Sequence, residues 1–167
     1  MNSHSSISYD PIGIIHSPLK NRSDAPIQPS AKPNIVGKIE IFPKFTPCLK
    51  DLDQFNFIFL FYHFNRITKH NLQVKPYLDT EIRGVFSTRA PSRPNTIGFS
   101  LVELVGIDDN IISVKHVDML DQTPLLDIKP FVPPFDCALV KNKEIKIGWL
   151  SNKIQSQKNV KDDGRFQ

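Results

Sequence analysis

Gly84-Val85-Phe86-Ser87-Thr88-Arg89-Ala90-Pro91-Ser92-Arg93-Pro94-Asn95-Thr96-Ile97-Gly98-Phe99 is the stretch whose reading decides the fold. Pro91 and Pro94 fix φ and push Ala90 and Arg93 out of the helical region, so no helix runs through it. A strand-like Val85-Phe86-Ser87-Thr88 precedes the prolines and an apolar run from Ile97 to Val105 follows them. Arg89 and Arg93 are therefore expected on a stiff, extended loop between strands. Two guanidiniums on such a loop suit a carboxylate or a phosphate, because little loop freedom remains to be lost on binding. The alternative is that they pair with neighbouring acids on the surface, where ion pairs contribute only ~0–1 kcal/mol.

Outward from this loop the chain reads as strand after short strand. Ile12–His16, Ile35–Ile41, Phe55–Phe64, Val74–Leu78, Gly84–Thr88, Ile97–Val105, Ile111–His116 and Leu125–Lys129 are strand candidates. Asp108-Asp109-Asn110 reads as the acidic turn of a hairpin. Phe55–Phe64 is apolar enough for a strand buried on both faces or one within a barrel. A short helix is expected over Thr46–Leu52, with Thr46 as N-cap and Pro47 at the first helical position. A terminal helix is expected over Gly148–Val160, where Trp149, Leu150 and Ile154 fall at helical spacing. The expected architecture is all-β: a single-domain barrel or sandwich with short helical decorations.

Composition fits one domain. A chain of 167 residues buries ~70% of its unfolded surface around a single core. Fourteen Pro against seven Gly, with twelve Phe, points to rigid connections and a phenylalanine-rich core. Cys48 and Cys137 form no C-x-x-C pair, and His16, His63 and His116 lie at no metal-ligand spacing, so no metal site is expected. Both thiols read as reduced and the chain as cytoplasmic; no apolar run approaches the ~20 residues that span a bilayer. The net charge of +4, with Lys141, Lys143, Lys146, Lys153, Lys158 and Lys161 near the end, permits contact with a polyanion without requiring it. Asp127 and Lys129 alternate along a strand and read as a structural ion pair.

Four blocks, in order, resemble the TsaA-like family, which includes the S-adenosylmethionine-dependent tRNA adenine-N6 methyltransferase called TrmO. Thr88 to Gly98 resembles its T-R-[S/A]-P-x-R-P-N-x-[I/L]-G signature, and Ile12-Gly13-Ile14-Ile15-His16-Ser17-Pro18 its I-G-x-I-x-S-P. Leu52-Asp53-Gln54-Phe55, leading into Ile58-Phe59-Leu60-Phe61, resembles its D-L-x-x-F and hydrophobic strand. Asp118 to Pro130 resembles its D-[L/M]-[L/I]-D-x-T-P-[V/L]-L-D-I-K-P. The match runs from about Ile12 to Asp136. It implies a TsaA-like barrel over 10–140, an extended or disordered start over 1–9, and a basic, partly helical extension over 141–167. There is no G-x-G-x-x-G and no βαβ alternation.

The resemblance also implies S-adenosyl-L-methionine as cofactor, tRNA as partner, and a homodimer whose second subunit completes the cofactor pocket. The implied reaction is N6-methylation of N6-threonylcarbamoyladenosine at position 37 of tRNA. A different small-molecule nucleophile, or a non-catalytic nucleotide- or RNA-binding barrel, stands as the alternative. The implied cofactor residues are Pro26, Ile27 and Gln28, Asn65 and Arg66, Arg89 and Phe99, and Asp121-Gln122-Thr123-Pro124. Ile27 replaces the family's arginine, and Asn65 stands where a histidine is common; an amide there bonds but carries no charge. Arg93 is assigned to loop architecture or a tRNA phosphate. No proton acceptor is assigned.

Overall fold

The structure, a computed structural model, describes residues 6–26, 34–151, 153, 165 and 166. Six strands close into an antiparallel barrel: β1 (Gly13–His16), β2 (Val36–Ile41), β3 (Phe57–His63), β6 (Ile97–Asp108), β7 (Ile111–Lys115) and β8 (Thr123–Pro130). Around the barrel they run β1-β2-β7-β6-β3-β8. Two further strands, β4 (Gln73–Val74) and β5 (Arg83–Gly84), pair only with each other, inside the long β3–β6 connection.

Alternation builds the barrel. Along β2, Gly37, Ile39 and Ile41 turn inward while Val36, Lys38 and Glu40 face out. Along β3, Ile58, Leu60 and Tyr62 are buried, whereas Phe57, Phe59 and Phe61 point outward. The strand is thus one-sided, the barrel alternative of the two readings of Phe55–Phe64. Its outward phenylalanines find aromatic partners: Phe59 meets Phe131 edge-on at 5.6 Å and Phe61 stacks with Phe99 at 6.4 Å. Ile15, Ile39, Ile58, Leu60, Val102, Ile112, Val114 and Leu125 fill the core. Gly98 faces Tyr62 across the β3–β6 ladder. A Cβ there would stand 2.6 Å from Tyr62 Cζ and 2.8 Å from Phe64 Cζ, so the motif's glycine makes room for an aromatic ring.

The β6–β7 hairpin turns at Asp109, whose φ is 52°, and Asn110 ties the turn to Ile41 O at 2.7 Å. Against β7 the register of β6 shifts between Leu104 and Gly106, which leaves Val105 exposed. The Asp127–Lys129 pair forms, at 2.7 Å on the surface.

Three expectations change. The Thr46–Leu52 helix is instead a 3-10 helix over Pro43–Leu49, capped by Phe42, followed by a second over Leu52–Gln54. Pro47 sits inside the segment with no N–H to give, so no continuous α ladder runs through it, and single i→i+3 bonds flank it, Phe45 N to Phe42 O and Lys50 N to Pro47 O. The Val74–Leu78 strand is cut to Gln73–Val74, with Pro76 two residues on. The Gly84–Thr88 strand becomes β5 plus a 3-10 turn over Val85–Ser87. Ser87 Oγ donates to Gly84 O and Thr88 Oγ1 to Val85 O, both at 2.8 Å, so side chains compete successfully with a ladder. Of the terminal helix, a 3-10 turn over Gly148–Leu150 is described; residues 152 and 154–160 lie outside the described residues.

Candidate functional site

The antiparallel order sends three connections to one end of the barrel: β1–β2, β3–β6 and β7–β8. These carry nearly every residue expected in the site. Ile27 and Gln28 lie outside the described residues; Pro26 is described and half-buried.

Two arginines fasten the connections together through backbone carbonyls. Arg22 Nη2 donates to Arg66 O at 2.6 Å. Arg66 in turn donates to Lys20 O at 2.9 Å and to Asp121 O at 3.2 Å. Arg66 is thus a clamp joining the first, second and third connections, with its guanidinium directed at the protein. Asn65 Nδ2 reaches toward Gln122 O at 3.5 Å.

The Asp121–Pro124 turn is drawn tight. Asp121 Oδ1 accepts from Ser17 N at 3.0 Å, and Oδ2 pairs with Lys20 Nζ at 2.6 Å. The Lys20 bond, foremost, holds the Asp121 carboxyl below its ordinary range. Gln122 takes φ 66° and meets His16 Nδ1 through its side-chain amide at 3.0 Å, while His16 Nε2 faces Glu40 at 3.0 Å. Thr123 is buried and donates to Leu120 O at 2.7 Å, which closes the turn from inside. Pro124 sits in the ladder opposite Ile14. A shallow groove opens here among His16, Lys20, Gly37, Lys38, Asp121 and Gln122.

The arginine loop is compact where an extended one is expected. Ser92 is 0% exposed; its hydroxyl accepts from Asn71 at 2.8 Å and donates to Lys69 O at 3.2 Å. Arg93 N bonds to Pro91 O at 2.9 Å, and the Arg93 guanidinium folds back toward Thr88 O at 3.4 Å. Arg93 braces the loop. Arg89 is exposed and has no hydrogen-bond or ion-pair partner among the described residues. Its guanidinium lies over the Phe99 ring at 5.0 Å.

Three residues carry no sequence-based assignment and yet meet at this end. Tyr62 Oη lies 3.0 Å from Ser100 Oγ, which donates to Asp118 Oδ1 at 2.7 Å. Burial, the largest cause, pushes the Asp118 carboxyl up to about 6, against opposing pulls from Ser100 and the Arg89 charge. Burial and the Asp118 charge likewise raise the Tyr62 phenol well above its ordinary value. The available signal was Ser100, a polar residue in the inward phase of an otherwise apolar strand.

The structure therefore makes two groupings. Asp121, Gln122 and the Arg66 clamp gather around β1 and β8, whereas Arg89, in the β3–β6 connection, lies over Phe99 on β6, the strand opposite β1 in the barrel order. No cluster of three or more metal-ligating side chains occurs among the described residues, and no described helix is long and apolar enough to cross a membrane. Cys48 and Cys137 are exposed free thiols.

The fold is a closed antiparallel barrel whose loop-bearing end carries a guanidinium over an aromatic ring, an architecture distinct from glycine-loop α/β cofactor folds. Residues 14–137 match the family of the tRNA-methyltransferase O N-terminal domain, and the chain belongs to that family. It is 51% identical over 160 residues to a probable S-adenosyl-L-methionine-binding protein of Pyrococcus abyssi, covering 96% of this chain and 85% of that one. A tRNA (adenine(37)-N6)-methyltransferase of Mus musculus is 33% identical, over 76% of this chain and 31% of its own length. A crystal structure of TrmO superposes with a TM-score of 0.72 at 36% identity, covering 86% of this chain and 65% of that chain. The chain therefore spans a little under two thirds of that crystallised protein.

Proposed function

We propose that this chain is an S-adenosyl-L-methionine-dependent methyltransferase of the cytoplasm that acts as a homodimer on N6-threonylcarbamoyladenosine at position 37 of tRNA. The observation that carries this reading is Arg89, an exposed guanidinium with no hydrogen-bond or ion-pair partner among the described residues, held over Phe99 by a proline-braced loop. Family membership, and relatives named for S-adenosyl-L-methionine binding and for tRNA adenine methylation, agree with it.

The residues suit such a cofactor. Arg89 would take its carboxylate, the Phe99 ring its apolar surface, and the Asp121-Gln122 turn its amino or hydroxyl groups. When bound, the cofactor supplies an electrophilic methyl on a cationic sulfur. The chain's own task is alignment, and orienting two reactants supplies as much as ~7–11 kcal/mol of a barrier. Preordering favours this: Arg93, Ser92 and Arg66 already fix the backbones from which the cofactor-facing groups project.

Within one chain, Arg89 and Phe99 belong to the β3–β6 connection and β6, whereas Asp121 and Gln122 belong to the β7–β8 turn. In the homodimer the partner's residues would complete the site beside Arg89 and Phe99. The outward stripe of Phe57, Ile97 and Phe99 offers apolar area for that contact. Exposed Lys141, Lys143 and Lys146 supply positive charge for a polyanion.

Calorimetric titration with S-adenosyl-L-methionine, followed by methyl incorporation into threonylcarbamoylated and unmodified tRNA, tests the reading. Binding and incorporation into the modified tRNA alone are expected. Binding without tRNA methylation points to a small-molecule nucleophile, and absence of binding leaves a nucleotide- or RNA-binding barrel.

A further inference from the structure

Apart from the barrel core there is a second apolar cluster: Val74, Val85, Ala90 and Phe166, with Tyr77 packed against it. Three of its members come from the β3–β6 connection, which has only the two-residue strands β4 and β5 for regular structure. A pair of strands that short does not order itself in water. The fourth buried member, Phe166, is distant in sequence and 4% exposed, and its ring meets Tyr77 edge-on at 4.9 Å.

Neighbouring residues hold the same connection by other means. Arg165 donates to Pro76 O at 3.1 Å and lies over the Tyr77 ring at 4.9 Å. Lys153 pairs with Asp79, itself bonded to Arg83, and Trp149 Nε1 donates to Ser87 O at 2.9 Å. The contacts at Ser87 and Ala90 flank Arg89 in sequence. On its other side Phe166 O accepts from Arg22 Nη1 at 3.3 Å, and Arg22 leads through Arg66 to Lys20 and Asp121.

We propose that Phe166 is a positioning residue for the cofactor: its ring seats the backbone beside Arg89, while its carbonyl ties that seat to the Arg22–Arg66 clamp. This rests on the cofactor reading above. Ala90 is buried although Arg89 next to it is exposed, so the cluster that Ala90 shares with Phe166 fixes where the guanidinium projects. The barrel core does not include Phe166. Truncating that ring therefore loosens the arginine loop and leaves the barrel folded.

The test uses the full chain as wild type, Phe166→Ala and Phe166→Leu, with far-ultraviolet circular dichroism to verify the barrel. Amide hydrogen exchange over residues 85–96 is measured without ligand, and S-adenosyl-L-methionine affinity by calorimetry. In Phe166→Ala, exchange over 85–96 is expected to quicken while the barrel strands stay protected, and Kd to rise about tenfold through lost preorganisation. Phe166→Leu is expected to restore most of both. Emission from Trp149, the sole tryptophan, is expected to shift red in the alanine variant. Unchanged exchange in Phe166→Ala overturns the inference, as does faster exchange with unchanged affinity. Loss of barrel protection in both variants also overturns it, because Phe166 would then belong to the global core. A wild type that binds no cofactor defeats the functional reading and, with it, the cofactor role of Phe166; exchange then still decides whether Phe166 orders the loop.

Discussion

The barrel and the β3–β6 connection solve the same problem by different physics. In the barrel, six strands satisfy one another's backbones and alternate apolar residues fill a continuous core. In the connection, thirty-odd residues gain only one two-rung ladder, and hydroxyls, guanidiniums and three buried aliphatic side chains do the rest. A barrel tolerates adjustment at its rim because its stability is collective. The connection depends on single contacts, which makes it the place where a side chain can be aimed and the place where one substitution redirects it.

The largest break expected in this comparison comes from the barrel side. Leu60 is wholly buried, and Leu60→Ala is expected to cost about 2–5 kcal/mol. Chemical denaturation should show it as a global shift of the unfolding midpoint, with all strands affected together.

Next comes the junction of the two regions, at Tyr62, Ser100 and Asp118, with Arg89 as the nearby cation. The Asp118 carboxyl binds its proton more tightly folded, at about 6, than at the ordinary 3.8. Stability is therefore full below the unfolded value and falls as pH rises from about 4 through 6, by about 3 kcal/mol for a shift of about two pKa units. Denaturation at several pH values should show this slope in the wild type and flatten it in Asp118→Asn, which keeps an acceptor for Ser100. A wild-type stability that rises across that window would refute the assignment.

The smallest effect on the fold, and the sharpest on function, belongs to Arg89. With only the Phe99 ring contact and the attraction to Asp118 to lose among the described residues, Arg89→Ala is expected to change stability by no more than about 1 kcal/mol. Its S-adenosyl-L-methionine affinity should fall about tenfold or more, the scale of a lost charge-assisted contact. Calorimetry beside thermal unfolding separates the two.

Legibility in the sequence followed the same division. The barrel strands were readable from β-branched and aromatic runs between turn residues, and each appears within a few residues of its expected bounds. The connection was misread at Val74–Leu78 and Gly84–Thr88. There Ser87 and Thr88 have strand-compatible side chains whose hydroxyls instead close a turn on the backbone. Arg66 was readable as a residue of the site's end, but its bonds to Lys20 O and Asp121 O span 46 and 55 positions and leave no local pattern. Tyr62, Ser100 and Asp118 fall in three separate blocks, and only barrel closure brings them within hydrogen-bond reach.

Taken alone, the sequence determined the all-β class, the proline-fixed loop carrying Arg89 and the absence of a glycine-rich cofactor turn, because φ restriction and period-two burial act within a few residues. Tertiary structure decided which arginines brace the protein and that Arg89 is left exposed over Phe99. It also decided that Phe166 joins Ala90 in one apolar cluster and that the half-buried Asp118 carboxyl meets Ser100 at the barrel's end. Those outcomes depend on long-range packing and desolvation, which exist only once distant segments have met.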